Sequence, residues 1–233
     1  MADSIEKTQA TLLKHHGGNG FKAQMAILNS YESRHGDEFW AFWDEKMACC
    51  YQNGDAVMDM GAGAGQFVRD CAVRYPSSLI TGIDAATYMV NDPVKLPSNT
   101  QFILDDLNNP QTKFQENSFA MIMANTVIHE LSQPVKMLKS VLKWLKPNGR
   151  FCLIEGVKQP LSEQLMNRYT TRQIWGDNTS SSELEDVFQY YFEHNQYQEE
   201  DLLFLLKNSG FNIIESELIY NGRLARIVVE KPA

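Results

Sequence analysis

The sequence contains few of the residues that build disulfide frameworks or metal centres. The four cysteines are Cys49, Cys50, Cys71 and Cys152. They form no C-x-x-C pair and no zinc-like spacing, so a disulfide scaffold or structural zinc is not expected. Cys71 and Cys152 lie in apolar runs and are predicted to be buried free thiols. His15 and His16 have no acidic or cysteine partner at ligand spacing, so we predict loop histidines and no metal site.

Long apolar runs and an excess of positive charge are also missing. No run approaches the length that spans a bilayer, and the first twenty residues are too polar for a signal peptide. We therefore expect no membrane association and a cytoplasmic location. Lys and Arg total 21 against 29 Asp and Glu, a net charge of -8. We therefore do not expect binding to nucleic acid, because neutralising its phosphates requires clustered Lys and Arg side chains.

One row of lysines does recur at helical spacing within "VKMLKSVLKWLKP". Its members are Lys136, Lys139, Lys143 and Lys146. Apolar residues occupy the other side of the same segment, as in an amphipathic helix. We interpret the lysine row as a solvated helix face.

The 233 residues, 43% of them hydrophobic, suit one domain with a full core. Four segments differ in their pattern. Residues 1–53 are aromatic and predicted to form a helical lid. Residues 54–157 alternate strand and helix, 158–198 form a polar, aromatic helical cap insertion, and 199–233 form a helix and a hairpin. The hairpin prediction rests on Asn221-Gly222, which favours a two-residue turn.

Five near-continuous apolar strands lie in the second segment. They are "DAVMDM", "SLITGID", "QFILDD", "SFAMIMAN" and "RFCLIEG". Such strands alternating with helices predict an α/β fold, with a mostly parallel sheet covered by helices on both faces.

The stretch "DMGAGAG", Asp59 to Gly65, follows the first strand. Glycines at a strand-to-helix turn let backbone N–H groups approach a ligand. No Gly-Lys-Ser or Gly-Lys-Thr is present, which excludes a P-loop for nucleotide triphosphates. In the G-x-G-x-x-G frame the last position is Gln66, whose side chain would crowd a pyrophosphate. A dinucleotide oxidoreductase is therefore a disfavoured alternative.

"DMGAGAG" resembles the first motif of the class I S-adenosylmethionine (SAM)-dependent methyltransferases. Further landmarks follow in the family's order: "GID" at Asp84, "LDD" at Asp105 and Asp106, "MANTVIHEL", and "LKPNGRFCLIE". The resemblance covers Asp55 to Glu230. It implies a Rossmann-like sheet of seven strands with an antiparallel last strand, and a helical N-terminal segment and cap. It also implies an enzyme that uses SAM and releases S-adenosylhomocysteine (SAH).

The resemblance implies a set of cofactor-binding residues. They are Asp59, Gly61, Ala62, Gly63, Gly65, Asp84, Ala85, Met89, Asp105, Asp106, Leu107 and Asn125. Asp84 suits the two ribose hydroxyls, because a carboxylate accepts both hydrogen bonds. Either Asp105 or Asp106 would accept from the adenine amine. Asp59, Gly61 and Asn125 would surround the cationic groups of the methionine moiety.

Candidate residues for the methyl acceptor are fewer and less specific. Methyl transfer from a sulfonium is an in-line displacement that depends mainly on alignment. A general base is needed only for some acceptors, and His129 and Glu155 are the candidates. The predicted substrate residues are Tyr31, Trp43, His129, Tyr169, Arg172 and Trp175. By the same resemblance, Tyr31, Arg34 and Trp43 would cover SAM.

The leading hypothesis is a methyltransferase acting on a small molecule, because the acidic charge and the cap both disfavour nucleic acid. One alternative is a SAM-modifying enzyme similar to carboxy-SAM synthases. In those enzymes arginines hold the extra carboxylate, and Arg168 and Arg172 of this chain are loosely similar. Another is a non-catalytic SAM-binding module. The sequence leaves open the methyl acceptor and the atom methylated. The sequence also leaves open whether the enzyme uses a general base and whether it forms a homodimer.

Overall fold

The chain is described here from a computed structural model. The described residues are 5–91, 93–163, 180–182, 185, 188 and 196–233. Tyr169, Arg172 and Trp175, predicted to contact substrate, lie outside the described residues, as does Arg168.

Seven strands form one sheet. They are β1 Ala56–Met60, β2 Ile80–Asp84, β3 Thr100–Leu104, β4 Phe119–Asn125, β5 Leu145–Gly156, β6 Asn212–Ile219 and β7 Leu224–Glu230. Their order is β3-β2-β1-β4-β5-β7-β6. The pairs from β3 to β5 are parallel, and β7 is antiparallel to both of its neighbours. This confirms the mostly parallel sheet with an antiparallel last strand.

Seven α-helices accompany the strands in the described part of the chain. They are α1 Ile5–His15, α2 Gly20–Arg34, α3 Asp37–Phe42, α4 Gln66–Arg74, α5 Thr87–Val90, α6 Pro134–Trp144 and α7 Glu199–Asn208. After α3 the chain continues as a π-helical turn, Trp43–Met47, and a 3-10 turn, Ala48–Cys50. A second 3-10 turn, Ile128–Glu130, follows β4. Of these helices, α1 contains no buried residue.

Helix α6 has the amphipathic character that its sequence predicted. It buries four apolar side chains against the sheet, those of Met137, Leu138, Val141 and Trp144. Lys136, Lys139 and Lys143 are exposed, which confirms the solvated face for these three. Lys146 differs, because it lies on β5 and forms an ion pair with Asp55.

The core has one apolar layer on each face of the sheet. One layer packs under α6 and α7. The other packs under α3 and α4, where Trp43 and Met47 are fully buried and Trp43 Nε1 donates to Tyr75 Oη at 2.9 Å. Cys71 and Cys152 are buried free thiols, as predicted.

The β6–β7 turn has the backbone that Asn-Gly favours, with φ of 57° at Asn221 and 80° at Gly222. Arg223 N donates to Tyr220 O across the turn. The antiparallel pairing of β6 with β7 confirms the predicted hairpin, but four residues, 220–223, connect the strands instead of the predicted two. None of the helices described is long and apolar enough to cross a membrane.

Candidate active site

A cavity of about 400 Å³ lies at the carboxyl ends of β1, β2 and β4, beneath α1 and α2. Parallel sheets bind ligands at this edge, because strand ends and helix starts converge there. Besides Arg34, twelve residues predicted from the sequence line the cavity. They are Tyr31, Asp59, Gly61, Ala62, Gly63, Asp84, Ala85, Met89, Asp106, Leu107, Asn125 and His129.

The glycine loop forms one wall of the cavity. Gly61, Gly63 and Gly65 have φ of 75°, 53° and 83°, in the left-handed region that disfavours side chains. A Cβ atom on Gly61 would overlap the Val127 side chain from the loop after β4. Gly63 N donates to Asp84 Oδ2 at 2.8 Å, which fixes the loop to β2. Gly65 precedes α4 and does not line the cavity.

Two carboxyl groups, of Asp59 and Asp84, lie beside this loop and line the cavity. Asp59 is 5% exposed and forms no hydrogen bond with any described residue. Burial, reinforced by the charge of Asp84 and opposed by Arg34, raises the pKa of Asp59 to about 8. Burial also raises the pKa of Asp84 to about 6, against the backbone N–H groups of Ala86 and Gly63. A cationic ligand would lower both pKa values by stabilising the ionised forms.

Asp105 and Asp106, which the sequence could not distinguish, have different environments. Asp105 accepts hydrogen bonds from the backbone N–H groups of Gln111 and Thr112 and does not line the cavity. Asp106 lines the cavity and accepts from Thr8 Oγ1 at 2.7 Å. Asp105 therefore organises the loop after β3, whereas Asp106 faces the ligand space.

Glu155 and His129 form a polar cluster in which His129 lines the cavity and Glu155 lies behind it. Glu155 is fully buried. Its Oε2 accepts from the backbone N–H groups of Val127 and Ile128 at 3.0 and 2.7 Å, and its Oε1 lies 2.7 Å from His129 Nδ1. Glu155 does not line the cavity. It holds the 3-10 turn after β4 in place.

His129 lies between two carboxylates, because its Nε2 is 3.3 Å from Glu130 Oε1. Burial would lower the pKa of His129, but hydrogen bonds to Glu130 and Glu155 outweigh it and raise the pKa to about 10. Burial would raise the pKa of Glu130, but His129 and His15 lower it to about 2. His129 is therefore an imidazolium near neutral pH, a form that cannot accept a proton.

Helix α1 and the turn after it contact the cavity rim through side chains. His15 Nδ1 is 2.5 Å from Glu130 Oε2, and His16 Nδ1 is 2.6 Å from Tyr88 Oη. His16 also lines the cavity, and burial lowers its pKa. The sequence predicts both residues as loop or capping histidines; His15 is the last residue of α1 and His16 lies in the turn after it, and their partners lie 115 and 72 positions away. No local pattern signals such contacts.

Tyr31 and Trp43, both predicted to contact substrate, lie in different places. Tyr31 lines the cavity, and its hydroxyl donates to Asp70 Oδ2 at 2.8 Å. Trp43 is fully buried beside Phe67 and does not line the cavity. Arg34 lines the cavity and forms no ion pair within the described part of the chain.

The cavity fits a ligand that carries cationic and N–H groups. Asp59 offers a buried carboxylate without a hydrogen-bond donor, and Asn125 Oδ1 is buried without a partner among the described residues. The glycine loop allows the ligand close to the backbone. Together with the strand order, these features define a class I SAM-dependent methyltransferase.

Comparison with known proteins gives the family. The methyltransferase domain family matches residues 52–199, and the chain belongs to this family. Its cofactor is accordingly SAM. The chain is 31% identical over 110 residues to malonyl-[acyl-carrier protein] O-methyltransferase from Halalkalibacterium halodurans, a match that covers 46% of this chain and 41% of that protein.

Two further similarities extend over more of the chain. Demethylmenaquinone methyltransferase from Chlamydia pneumoniae is 22% identical over 197 residues, or 82% of this chain and 85% of that protein. The structure of Haemonchus contortus phosphoethanolamine N-methyltransferase 2 in complex with SAM has a TM-score of 0.63 at 17% identity. The match covers 90% of this chain and 57% of the Haemonchus contortus chain. At this identity the similarity is evidence for the fold only.

Proposed function

We propose that this protein transfers a methyl group from SAM to a small-molecule acceptor by in-line displacement. The observation that carries the proposal is that Asp59 and Arg34 line the same cavity as the glycine loop. A buried carboxylate, and a cation that has no ion-pair partner among the described residues, match the ammonium and carboxylate of an amino acid. The acceptors in the relatives' names differ from one another, so none is transferred to this chain.

The proposed cofactor contacts follow the cavity wall. The Asp84 oxygens each accept one hydrogen bond, from the backbone N–H groups of Gly63 and Ala86. Their remaining lone pairs would accept hydrogen bonds from the two ribose hydroxyls. Asp106 would accept from the adenine amine. Asp59 would bind the methionine ammonium and Arg34 its carboxylate.

When bound, SAM supplies an activated methyl group on a sulfonium. The chain's own contribution is then alignment and exclusion of water. Helices α1 and α2 would act as a lid over the cavity. His129, held as an imidazolium, would position the turn after β4 and place a positive charge near the acceptor. The geometry favours this role for His129 and Glu155 over that of a general base.

Cofactor binding should depend on pH through Asp59. The free carboxyl has a pKa of about 8 and must ionise to bind an ammonium, so binding below that pH releases a proton. We expect the affinity for SAH to fall by up to about tenfold per pH unit between pH 8 and 6. Calorimetry in buffers of different ionisation enthalpy measures both the affinity and the released proton.

Asp59→Asn is the matched control for this pH dependence. It should bind SAH more weakly at pH 8, with an affinity that changes little between pH 8 and 6. An unchanged wild-type affinity across that range would contradict the role of Asp59. The absence of SAH binding at every pH would overturn the proposed function itself.

Docking of the lid should depend on Gly20, the first residue of α2. A Cβ atom there would lie 2.6 Å from Tyr88 Cγ and displace the ring that contacts His16. Such overpacking costs about 1–3 kcal/mol, so Gly20→Ala should weaken SAH binding roughly 5- to 150-fold. Gly156→Ala is the control, because no atom lies within 4 Å of its Cβ position. Equal SAH affinity in the two variants would argue against a lid.

Two alternatives have distinct signatures. A carboxy-SAM-synthase-like enzyme would retain a SAM derivative heavier than SAM, which mass spectrometry of the purified protein detects. A non-catalytic module would bind SAH but release none when incubated with SAM and a broad panel of acceptors.

A further inference from the structure

A second cavity, of about 290 Å³, adjoins the first. Arg34 and Asn125 line both cavities, so these two residues form the wall between them. Phe39, Ile154 and Leu224 give the second cavity an apolar side, and the first two are buried. The space is therefore suited to a small molecule with an apolar body that reaches the cofactor site at Arg34 and Asn125.

His35 determines how the Asn125 amide is oriented. His35 Nδ1 lies 3.2 Å from Tyr31 O, and a carbonyl oxygen only accepts, so Nδ1 carries the hydrogen. Burial lowers the pKa of His35 to about 4, which keeps the ring neutral. Its Nε2 therefore has a free lone pair and accepts from Asn125 Nδ2 at 3.4 Å. This contact directs Asn125 Oδ1 away from His35.

Asn125 Oδ1 is left buried without a donor among the described residues. A buried acceptor without a donor costs free energy, so the site is completed by a ligand that supplies an N–H or O–H group. The methionine ammonium already has a stronger partner in the Asp59 carboxylate. Asn125 Oδ1 is thus available to a second ligand at the wall shared by the two cavities.

The charges around the second cavity favour an amine over an anion. Arg226 is paired with Glu217 at 2.6 Å, so its charge is already compensated. Asp37 and Glu38 are exposed at the cavity and form no ion pair within the described ranges. Under the proposed function, Arg34 is neutralised by the cofactor carboxylate. The remaining field is negative and attracts a cationic molecule.

We propose that the second cavity binds the methyl acceptor, a small amine with an apolar body, and that Asn125 Oδ1 accepts a hydrogen bond from the nitrogen to be methylated. This proposal rests on the proposed function. The bound ammonium first releases a proton to solvent, which frees the nitrogen lone pair. That lone pair forms the N–C bond as the S–C bond breaks, and the electrons of the S–C bond remain on sulfur. The new ammonium then loses a proton to solvent, so no general base is required.

The experiment compares three probes of one shape: benzylamine, benzyl alcohol and benzoate. Each is added to the wild-type SAH complex, and its effect on the melting temperature is recorded. Benzylamine should raise the melting temperature, benzyl alcohol less, and benzoate not at all. Failure of benzylamine to bind, or preferential binding of benzoate, would overturn the proposal. Failure of SAH to bind would instead count against the proposed function.

Variants of Asn125 separate the acceptor site from the cofactor site. Asn125→Ala should lower benzylamine affinity and methylation about tenfold or more, and by a larger factor than any change in SAH affinity, since a donor loses its partner. Asn125→Asp, which restores an acceptor oxygen, should recover most of the benzylamine affinity. A tenfold loss of SAH affinity in Asn125→Ala would assign Asn125 to the cofactor and overturn the proposal.

Leu224→Trp provides a test that leaves Asn125 intact. The larger side chain would fill the second cavity, so benzylamine binding should be lost while SAH affinity is retained. Asp37→Asn combined with Glu38→Gln should weaken benzylamine binding and reduce its salt dependence. Unchanged benzylamine binding in Leu224→Trp would place the amine elsewhere and contradict the proposal.

Discussion

Gly61→Ala is expected to abolish detectable SAH binding and to destabilise the fold. Gly61 has a φ of 75°, and a Cβ atom there would overlap Val127. The left-handed backbone costs an L-residue about 1–2 kcal/mol, and the overlap adds about 1–3 kcal/mol. The loop must move away from β4 to relieve the overlap, which displaces the backbone that contacts the cofactor. Chemical denaturation and calorimetry with SAH measure the two effects.

Two matched variants separate backbone strain from the overlap. Gly54→Ala has a comparable φ of 91° but no neighbouring atom closer than 3.9 Å, so it should lose only the strain energy and keep its SAH affinity. Val127→Ala removes the methyl groups that Cβ would meet, and the double variant Gly61→Ala/Val127→Ala should regain part of the SAH affinity. If Gly54→Ala abolishes SAH binding as well, local overlap at Gly61 is the wrong explanation.

Glu155→Ala should produce the largest loss of stability, about 3–5 kcal/mol in the free energy of unfolding. The substitution leaves the His129 imidazolium without its buried partner and removes the acceptor for Val127 N and Ile128 N. Glu116→Ala is the control: Glu116 forms an exposed pair with Lys143, and its loss should change stability by less than about 1 kcal/mol. Urea denaturation at pH 7 compares the variants.

The pH dependence of stability identifies the imidazolium as the cause. The pKa of His129 is raised in the fold from its ordinary 6.5 to about 10. Its stabilising contribution is therefore complete below about pH 6.5 and is lost as the pH rises through about 10. His129→Gln should flatten the alkaline decline. A decline that is equally steep in His129→Gln would rule out His129 as its source.

The sheet could be predicted almost entirely from the sequence. Apolar strands alternating with amphipathic helices specify a parallel sheet, because both faces of each strand must be buried. The hairpin was equally predictable, since Asn221-Gly222 tolerates the positive φ that its turn requires. Lys146 shows the limit of the periodicity: it continues the lysine row, yet the chain has already left the helix at Leu145.

The candidate site was predictable only in part. Asp59, Gly61 and Gly63 line the cavity as their local spacing predicts, and Asp84 does so as the family resemblance implies, whereas Gly65 does not. Asp105 and Asp106 are chemically alike in the sequence, and only the backbone N–H groups of Gln111 and Thr112 distinguish them. His16 and His35 acquire their roles from partners far away in the chain. Glu155 lies near the end of β5, where the sequence predicts a candidate general base, but it is fully buried against the turn after β4.

Helix α1 has a kinetic consequence that follows from its lack of buried residues. Thr8 and His15 connect it to Asp106 and Glu130 through side-chain hydrogen bonds, which water can replace. Detaching α1 exposes little apolar surface, so it can leave and return many times while the sheet stays folded. The residence time of SAH, and with it the turnover number, would then be set by the opening of one helix rather than by the methyl transfer.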